Sequence, residues 1–252
     1  MSLRILLTND DGIHSTGFGV LERIAAKLSD DVWVCAPEQE QSATSHSLTI
    51  HRPLRLRQVS ERRFAADGTP TDCVLLAVNH VLKDHRPDLV LSGVNHGRNI
   101  AEDVTYSGTI AAAMEATLLG IRAVALSQEF TDDGPPRWAT AEEWGPDAVR
   151  RAISVEWPPG VLVNVNFPAR EADSVKGFSV VPHGFRKIGD DLSERVDPRG
   201  RTYFWIGTTR AEELTGRDSD TNALSEGRRP VTPLYMNLSH VPTIAALKKS
   251  FQ

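Results

Sequence analysis

The sequence predicts an open α/β fold in which a mostly parallel sheet is covered by helices on both faces. Three observations support this. Short segments that are almost wholly apolar recur along the first half of the chain, as strands buried on both faces require. Segments with apolar residues at spacings of three and four lie between them, the pattern of helices packed on a sheet. The 252 residues are 40% hydrophobic and 24% charged, which is typical of a globular protein.

Strands and helices alternate from the N-terminus to about residue 128. Four apolar segments are predicted to be the buried strands: residues 4–9, Val32–Ala36, Leu89–Asn95 and Ala123–Leu126. Three intervening segments are predicted to be helices: one with apolar positions from Phe18 to Leu28, one capped by Thr71, and the Ala-rich Gly108–Leu119. Leu48–Arg57 alternates apolar and polar residues and predicts a half-exposed strand pair broken at Pro53.

The pattern changes after Gln128. Glu129–Trp138 is acidic and rich in proline, which predicts a loop. The elements predicted beyond it are a helix from about Glu142 to Val155, a strand at Val161–Phe167, short β segments at Phe178–Val181 and Tyr203–Ile206, and a terminal amphipathic helix at Ile244–Phe251. From about residue 170 onwards there is little apolar periodicity, and Lys187–Arg201 and Ala211–Arg229 are long and polar. We therefore divide the chain into residues 1–128 and 129–252.

Composition and charge exclude several classes of partner. The net charge is −5 and no basic run is present, so we expect no nucleic-acid duplex as partner. No apolar segment approaches the roughly 20 residues that span a bilayer, so we expect no membrane partner. The first residues lack the pattern of a signal peptide, and Cys35 and Cys73 lie in apolar segments, as buried reduced thiols do. These features together predict a cytoplasmic location.

The most informative motif is Thr-Asn-Asp-Asp-Gly at residues 8–12, directly after the first strand. Two adjacent carboxylates at the mouth of a buried strand repel each other, so the pair Asp10 and Asp11 implies a shared proton or a bound cation. Gly12 permits a sharp turn, so both side chains can point into one space. Oxygen ligands suit Mg²⁺ or Mn²⁺. The alternative is that the two aspartates form only a turn and a helix cap.

Two further polar residues stand at predicted strand ends. Ser42 follows the second strand after a short loop, and Asn95 ends the third strand. In a parallel sheet these ends share one edge, so two carboxylates, a hydroxyl and an amide oxygen can converge there and leave room for water and a substrate oxygen. Taken singly, Ser42 is also typical of a turn and Asn95 of a cap or a left-handed residue.

A second group, Ser107-Gly108-Thr109, precedes the Ala-rich helix. A hydroxyl, a flexible glycine and free N–H groups at a helix N-terminus form an anion site, although Ser107 alone is equally typical of a helix cap. Asn99 is placed to orient either group. The chain has no Gly-x-Gly-x-x-Gly after the first strand, no Gly-Lys-Ser/Thr and no Gly-x-Ser-x-Gly, so dinucleotide binding, nucleoside-triphosphatase loops and a serine nucleophile elbow are not supported.

Five blocks, in this order, resemble the SurE (survival protein E) family of metal-dependent nucleotidases: Thr8–His14; Ala36-Pro37 with Gln41–Leu48; Gly68–Val74; Pro87–Val90 with Ser92–Asn95; and Asp103–Thr109 with Ala111–Glu115. The resemblance implies a Rossmann-like core with a metal site on Asp10, Asp11, Ser42 and Asn95 and a phosphate region at Ser107-Gly108-Thr109. It also implies that residues 129–252 contain a long β-hairpin and a terminal helix exchanged between subunits. Five residues depart from the pattern that we expect of the family: Ala43 and Ala101 for Gly, His46 for Asn, His96 for Ala, and Ser219 for Thr before Asp220.

We therefore expect residues 1–128 to be the catalytic core of a phosphomonoesterase that hydrolyses nucleoside monophosphates as a 5′/3′-nucleotidase. One divalent ion, Mg²⁺ or Mn²⁺, would polarise a phosphate oxygen and lower the pKa of a bound water. The catalytic residues are predicted to be Asp10, Asp11 and Asn95, and the phosphate-binding residues Asn99, Ser107, Gly108 and Thr109. The apolar face of the terminal helix predicts a partner surface in a second subunit, and together with the resemblance it leads us to expect a homodimer or homotetramer. The alternative function is a non-catalytic regulatory protein that binds a nucleotide or a metal.

Overall fold

The computed structural model describes residues 3–131, 134–185, 192–206 and 218–251, and these contain eleven strands and seven α-helices. The strands are β1 Ile5–Thr8, β2 Val32–Pro37, β3 Leu56–Ser60, β4 Arg63–Ala66, β5 Leu89–His96, β6 Arg122–Gln128, β7 Val161–Phe167, β8 Phe178–Val180, β9 Leu192–Val196, β10 Thr202–Ile206 and β11 Arg229–Tyr235. The helices are α1 Thr16–Ala26, α2 Pro70–Leu76, α3 Asp103–Tyr106, α4 Gly108–Leu118, α5 Trp138–Ile153, α6 Asp220–Ser225 and α7 Val241–Ser250. A π-helical turn at Ala77–Val81 extends α2.

Nine strands form one sheet in the order β3-β4-β2-β1-β5-β6-β7-β11-β8. Its central strands β2, β1, β5, β6 and β7 are all parallel, and β1 lies between its two partners with Ile5 opposite Val32 on one side and Leu89 on the other. The chain thus moves outwards from β1 to β2 and later returns to the other side of β1 at β5. In a doubly wound sheet, this switch point is where a ligand crevice opens. The predicted α/β class is confirmed.

Helices cover both faces of this sheet, and each face has its own hydrophobic core. On one face α1 and α5 contribute Phe18, Ile24 and Val149 to a core that also includes strand residues such as Leu7 and Leu91. On the other face α2 and α4 contribute Val74 and Ile110. Helix α1 lies so close to β5 that a Cβ atom at Gly17 would come within 2.1 Å of the Val94 carbonyl oxygen. This close approach fixes the N-terminus of α1 beside the strand end that carries Asn95.

The predicted strand pair over Leu48–Arg57 is wrong, because only Leu56–Ser60 forms a strand there. The backbone N–H groups of the preceding loop bind side chains instead of a neighbouring strand: Thr49 donates to Asp72 Oδ1 at 3.0 Å and Arg55 donates to Asp67 Oδ1 at 2.7 Å. A loop whose N–H groups are satisfied in this way gains nothing from pairing with a strand.

Two predicted helix starts are also corrected. Helix α2 is capped by Thr69 rather than Thr71, because Pro70 is suited to the first helical position and Asp72 completes a capping box with Thr69. Helix α5 begins at Trp138 rather than near Glu142, since burial of Thr140 and Ala141 extends it towards the core. The strands at Val161–Phe167 and near residues 178–180 are confirmed.

The C-terminal third contributes the sheet edge, a separate hairpin and the last helix. Strands β9 and β10 pair antiparallel, with Thr202 opposite Val196. Every residue of β10 is exposed, and α7 has no buried residue. Parts of the polar stretches Lys187–Arg201 and Ala211–Arg229 lie outside the described residues. Within the described ranges, no helix is long and apolar enough to cross a membrane. Cys35 and Cys73 are buried free thiols, as predicted.

Candidate metal and phosphate site

The predicted site residues meet at the carboxyl ends of β1 and β5, beside the N-terminus of α4. A pocket of about 180 Å³ opens at this edge of the sheet. Six of the eight residues singled out from the sequence line it: Asp10, Asp11, Ser42, Asn95, Asn99 and Ser107. The other two, Gly108 and Thr109, lie behind the pocket against Asp10. Because the pocket sits at the switch point of the sheet, the fold itself brings these distant residues together.

Asp10 is the buried member of the aspartate pair, with 4% of its surface exposed. The Thr109 hydroxyl donates a hydrogen bond to Asp10 Oδ1. A Cβ atom at Gly108 would lie 2.7 Å from Asp10 Cβ, so only glycine allows α4 to begin here. Burial, followed by the charge of Asp11, raises the Asp10 pKa from 3.8 to about 7, although the Thr109 hydrogen bond lowers it. A nearby cation would relieve both causes of the increase.

Asp11 is closer to solvent and faces the end of β5. Its Oδ2 accepts a hydrogen bond of 2.9 Å from the backbone N–H of His96. Burial raises the pKa of Asp11 as well, while the His96 hydrogen bond and charge oppose the increase and the charge of Glu40 adds to it. The two aspartates are thus held by different elements, Asp10 by α4 and Asp11 by β5. Both elements keep the carboxylates at one pocket despite their repulsion.

Asn95 reaches the pocket because β5 is irregular near its end. The pairing of β5 with β6 shifts register between Ser92 and Asn95, and a Cβ atom at Gly93 would lie 2.2 Å from the Leu126 carbonyl oxygen. Such a bulge re-aims the side chain that follows it. Asn95 Nδ2 donates to the Gly97 carbonyl at 2.9 Å, which leaves the amide oxygen as the atom suited to bind a cation.

Ser42 lies on the loop after β2, and this loop is fastened across the site. The Gln41 N–H donates to the Asp10 carbonyl at 2.7 Å, and the Ser45 N–H donates to the Tyr106 carbonyl at 3.1 Å. The Ser42 hydroxyl donates to Glu40 Oε1 at 2.7 Å, so its oxygen retains lone pairs for a ligand. The pocket therefore gathers oxygen atoms from three separate segments of the chain.

Two alanines beside the site have positive backbone φ angles. Ala43 has φ of 58° and Ala101 has φ of 49°, in the left-handed region that favours glycine. These are two of the positions where the sequence departs from the expected glycines. At both positions alanine therefore adopts a backbone conformation that glycine would adopt at lower cost.

The donor set matches a hard divalent cation. The candidate ligands are two carboxylates, one hydroxyl and one amide oxygen, with no sulfur or imidazole among them. Across the described residues, no cluster of three His, Cys, Asp or Glu side chains is suited to a metal ion. His46 is engaged elsewhere, with its Nε2 2.9 Å from Glu115 Oε2. The residues present thus fit an ion that prefers oxygen ligands and whose remaining coordination positions are filled by water or substrate.

The N-terminus of α4 provides the anion-binding side of the pocket. Ser107 caps this eleven-residue helix, and its Oγ accepts the Ile110 N–H at 3.1 Å. The cap and the anion site are compatible, because the hydroxyl hydrogen of Ser107 is still available to a ligand. Thr109, in contrast, directs its hydroxyl at Asp10. The structure therefore associates Thr109 with the carboxylate rather than with the open pocket.

Asn99 is held by a polar network inside the sheet. Its N–H donates to Asn166 Oδ1 at 2.8 Å, its carbonyl accepts from Asn164 Nδ2 at 2.7 Å, and its Nδ2 donates to Ser127 Oγ at 2.9 Å. Asn164 and Asn166 were missed from the sequence. The signal for them was present, since two asparagines at alternate positions of a buried strand face the same side.

Asp220 was also missed as a residue that shapes the site. It is fully buried, its Oδ2 accepts the Ala101 N–H at 3.0 Å, and its Oδ1 accepts the Gly184 N–H at 2.7 Å. Asp220 therefore ties the loop after β5 to the C-terminal third. Glu40 and Arg98, which line the pocket, were not predicted either, and Arg98 pairs with Glu129 at 2.9 Å.

Comparisons with known proteins show which family this chain resembles. Residues 5–190 match the family model described as survival protein SurE. The chain is 58% identical over 250 residues to a 5′-nucleotidase SurE of Paramagnetospirillum magneticum, covering 99% of this chain and 96% of that protein. It is 54% identical over 252 residues to a 5′-nucleotidase SurE of Methylobacterium radiotolerans, covering 99% of each. The crystal structure of the SurE protein from Aquifex aeolicus aligns with a TM-score of 0.84 and 34% identity, covering 99% of this chain and 100% of that one.

Proposed function

Since this chain belongs to the SurE family, we propose that the pocket at β1, β5 and α4 is where it hydrolyses nucleoside monophosphates. The chain is a nucleotidase, that is, a phosphomonoesterase that releases phosphate from a nucleotide. The observation that carries the assignment to this pocket is the pair Asp10 and Asp11, one of them buried, beside a helix N-terminus suited to an anion. A cation site and an anion site side by side are what a phosphomonoester requires.

SurE proteins are metal-dependent in general. We propose one divalent ion, Mg²⁺ or Mn²⁺, held by Asp10, Asp11, Ser42 and Asn95. The burial of Asp10 and the raised pKa values of both aspartates support this, because two ionised carboxylates in one pocket are stabilised by positive charge. Such an ion, when bound, lowers the pKa of water and polarises a phosphate oxygen.

The remaining residues bind and orient the phosphoryl group. The Ser107 hydroxyl and the N-terminus of α4, including Gly108, supply donors and a positive dipole for its oxygens, where negative charge is concentrated in phosphoryl transfer. Asn99 is held at the pocket wall by Ser127, and Arg98 adds a positive group to the same wall. Thr109 acts on Asp10, and its hydrogen bond favours the ionised carboxylate and fixes its orientation.

We also propose that the chain is a homodimer or homotetramer in which residues 129–252 supply the shared surface and residues 1–128 the catalytic core. The exposed apolar side chains of the hairpin and last helix support this. Phe204 and Trp205 of β10 are 59% and 65% exposed, and Leu247 and Phe251 near the C-terminus are 50% and 86% exposed. Apolar surface of this extent is typical of an interface, and exchange of α7 between subunits would cover it.

Phosphate release from AMP tests the proposed site. With Mn²⁺ or Mg²⁺ the wild type is expected to turn over steadily, and a chelator is expected to abolish the reaction until the ion is restored. Asp11→Asn should reduce kcat/KM by at least about 100-fold, because it removes an anionic ligand. Asp84→Asn makes the same chemical change at an exposed residue outside the pocket and should behave as wild type. Nucleotide binding without phosphate release would support a regulatory role instead.

A further inference from the structure

A second pocket adjoins the candidate site. It has a volume of about 390 Å³ and lies between the N-terminus of α1 and the segment 135–138. Three residues line both pockets: Asp11, Glu40 and His96. A ligand with its phosphate at α4 can therefore extend past Asp11 into the second pocket without leaving the surface. Its volume falls in the range of pockets that hold small organic ligands.

His96, at the wall shared by the two pockets, belongs to an aromatic cluster. The His96 ring lies on the Phe130 ring with centroids 4.6 Å apart and planes 15° apart, and the Trp138 ring centroid is 6.1 Å from that of His96. His96 is exposed, and Phe130 is 43% exposed. Planar rings presented to solvent at a pocket are well suited to stacking with another flat ring, and nucleobases stack on such surfaces whatever their identity.

The rest of the pocket lining is partly polar. A Cβ atom at Gly17 would lie 2.8 Å from the Trp138 ring, so α1 and Trp138 are in close contact. Thr16, at the exposed start of α1, and Glu40 line the same pocket and offer a hydroxyl and a carboxylate. These are groups that bind sugar hydroxyls and base edges. The pocket thus combines an aromatic platform with hydrogen-bonding groups, as a nucleoside requires.

We propose that this second pocket is the nucleoside subsite and that the base stacks on the His96 ring, which lines the pocket and is supported by Phe130; this inference rests on the proposed function of the adjoining site. The ribose then lies near Glu40 and Asp11, between the base and the phosphate. Because stacking depends on ring area rather than on hydrogen-bond pattern, the subsite accepts all bases and favours purines over pyrimidines. His96, one of the residues that departs from the expected family pattern, becomes a determinant of substrate preference.

The test compares AMP with ribose 5-phosphate, which has the same sugar phosphate and no base. His96→Ala keeps the backbone N–H that binds Asp11 and removes the ring. It is expected to lower kcat/KM for AMP about 5- to 100-fold more than kcat/KM for ribose 5-phosphate, mainly through KM, because any change that it causes at Asp11 affects both substrates alike. His96→Phe keeps a flat ring and should retain most of the AMP activity. His80→Ala, at an exposed site on the π-helical turn, is the matched control.

Equal losses for the two substrates in His96→Ala, or no loss for AMP, would overturn the subsite. Failure of the wild type to hydrolyse either substrate would instead overturn the proposed function. In that case calorimetric titration with adenosine still decides the subsite. Adenosine should bind the wild type and His96→Phe and bind His96→Ala about 5- to 100-fold more weakly. Equal affinity for all three proteins, or no binding to the wild type, would refute it.

Discussion

Replacing Asp10 by asparagine is expected to abolish hydrolysis and, in the absence of metal, to stabilise the protein. Asparagine retains an oxygen at the position where the Thr109 hydroxyl donates its hydrogen bond. It removes the charge that is buried beside Asp11. Asp10 is thus expected to be required for the reaction while its buried charge lowers the stability of the metal-free protein. A variant that is more stable and inactive at the same time is the signature of such a residue.

The magnitude follows from the pKa of Asp10, which burial and Asp11 raise from 3.8 to about 7. Between these values the native state binds a proton that the unfolded state has released, so the free energy of unfolding falls as pH rises. At 1.36 kcal/mol per pKa unit, the raised pKa of Asp10 lowers the free energy of unfolding, relative to acid, by roughly 4 kcal/mol at pH 8, where Asp10 is ionised in both states. At pH 5, where only the unfolded state has released the proton, it lowers it by roughly 2 kcal/mol. The asparagine side chain of the variant cannot titrate, so the gain in Asp10→Asn is expected to be larger at pH 8 than at pH 5 by about 2 kcal/mol.

Urea unfolding with a chelator present, at pH 5 and at pH 8, measures this difference. Asp84→Asn is the control, since it makes the same chemical change at an exposed residue and should alter stability by no more than about 0.5 kcal/mol at either pH. Phosphate release with Mn²⁺ is measured on the same preparations. The reasoning is refuted if Asp10→Asn gains the same stability at both pH values, loses stability at pH 8, or keeps turnover near that of the wild type.

Three further predictions concern the surroundings of the site. Asp220→Asn should lower the free energy of unfolding by about 2 kcal/mol, because the buried group that accepts two backbone N–H groups loses its charge. It should also raise KM for AMP and leave the Kd for Mn²⁺ unchanged. A changed Kd for Mn²⁺ with an unaltered KM would contradict the role of Asp220 at the loop after β5. Ala101→Gly should raise the Tm, because it relieves the left-handed φ of 49° at a gain of about 1 kcal/mol, whereas a lower Tm would show that the alanine is unstrained. Deletion of residues 243–252 should reduce the mass of the assembly measured by light scattering and leave Mn²⁺ binding unchanged. A stable full-length monomer at micromolar concentration would rule out the shared C-terminal surface.

The part of the site on parallel strands could be predicted from the sequence. Asp10, Asp11 and Asn95 follow apolar segments, and the ends of neighbouring parallel strands meet at one edge. The orientation of Thr109 towards Asp10 could not be predicted, because it depends on how α4 packs against β1. The loop before β3 was wrongly predicted as a strand for a related reason. Its alternating pattern does not reveal that Asp67 and Asp72 bind its N–H groups.

The hydrogen bond from Ala101 to Asp220 spans 119 residues of sequence. During translation the N-terminus emerges first, so the proposed ligands of the ion leave the ribosome early. Asp220, which binds the loop after β5, emerges near the end. Until then the Ala101 N–H has no such acceptor, and leaving it buried would be costly. The loop after β5 is therefore fastened only when almost the whole chain has been translated. A chain truncated before residue 220 lacks this acceptor and is therefore expected to hydrolyse AMP poorly.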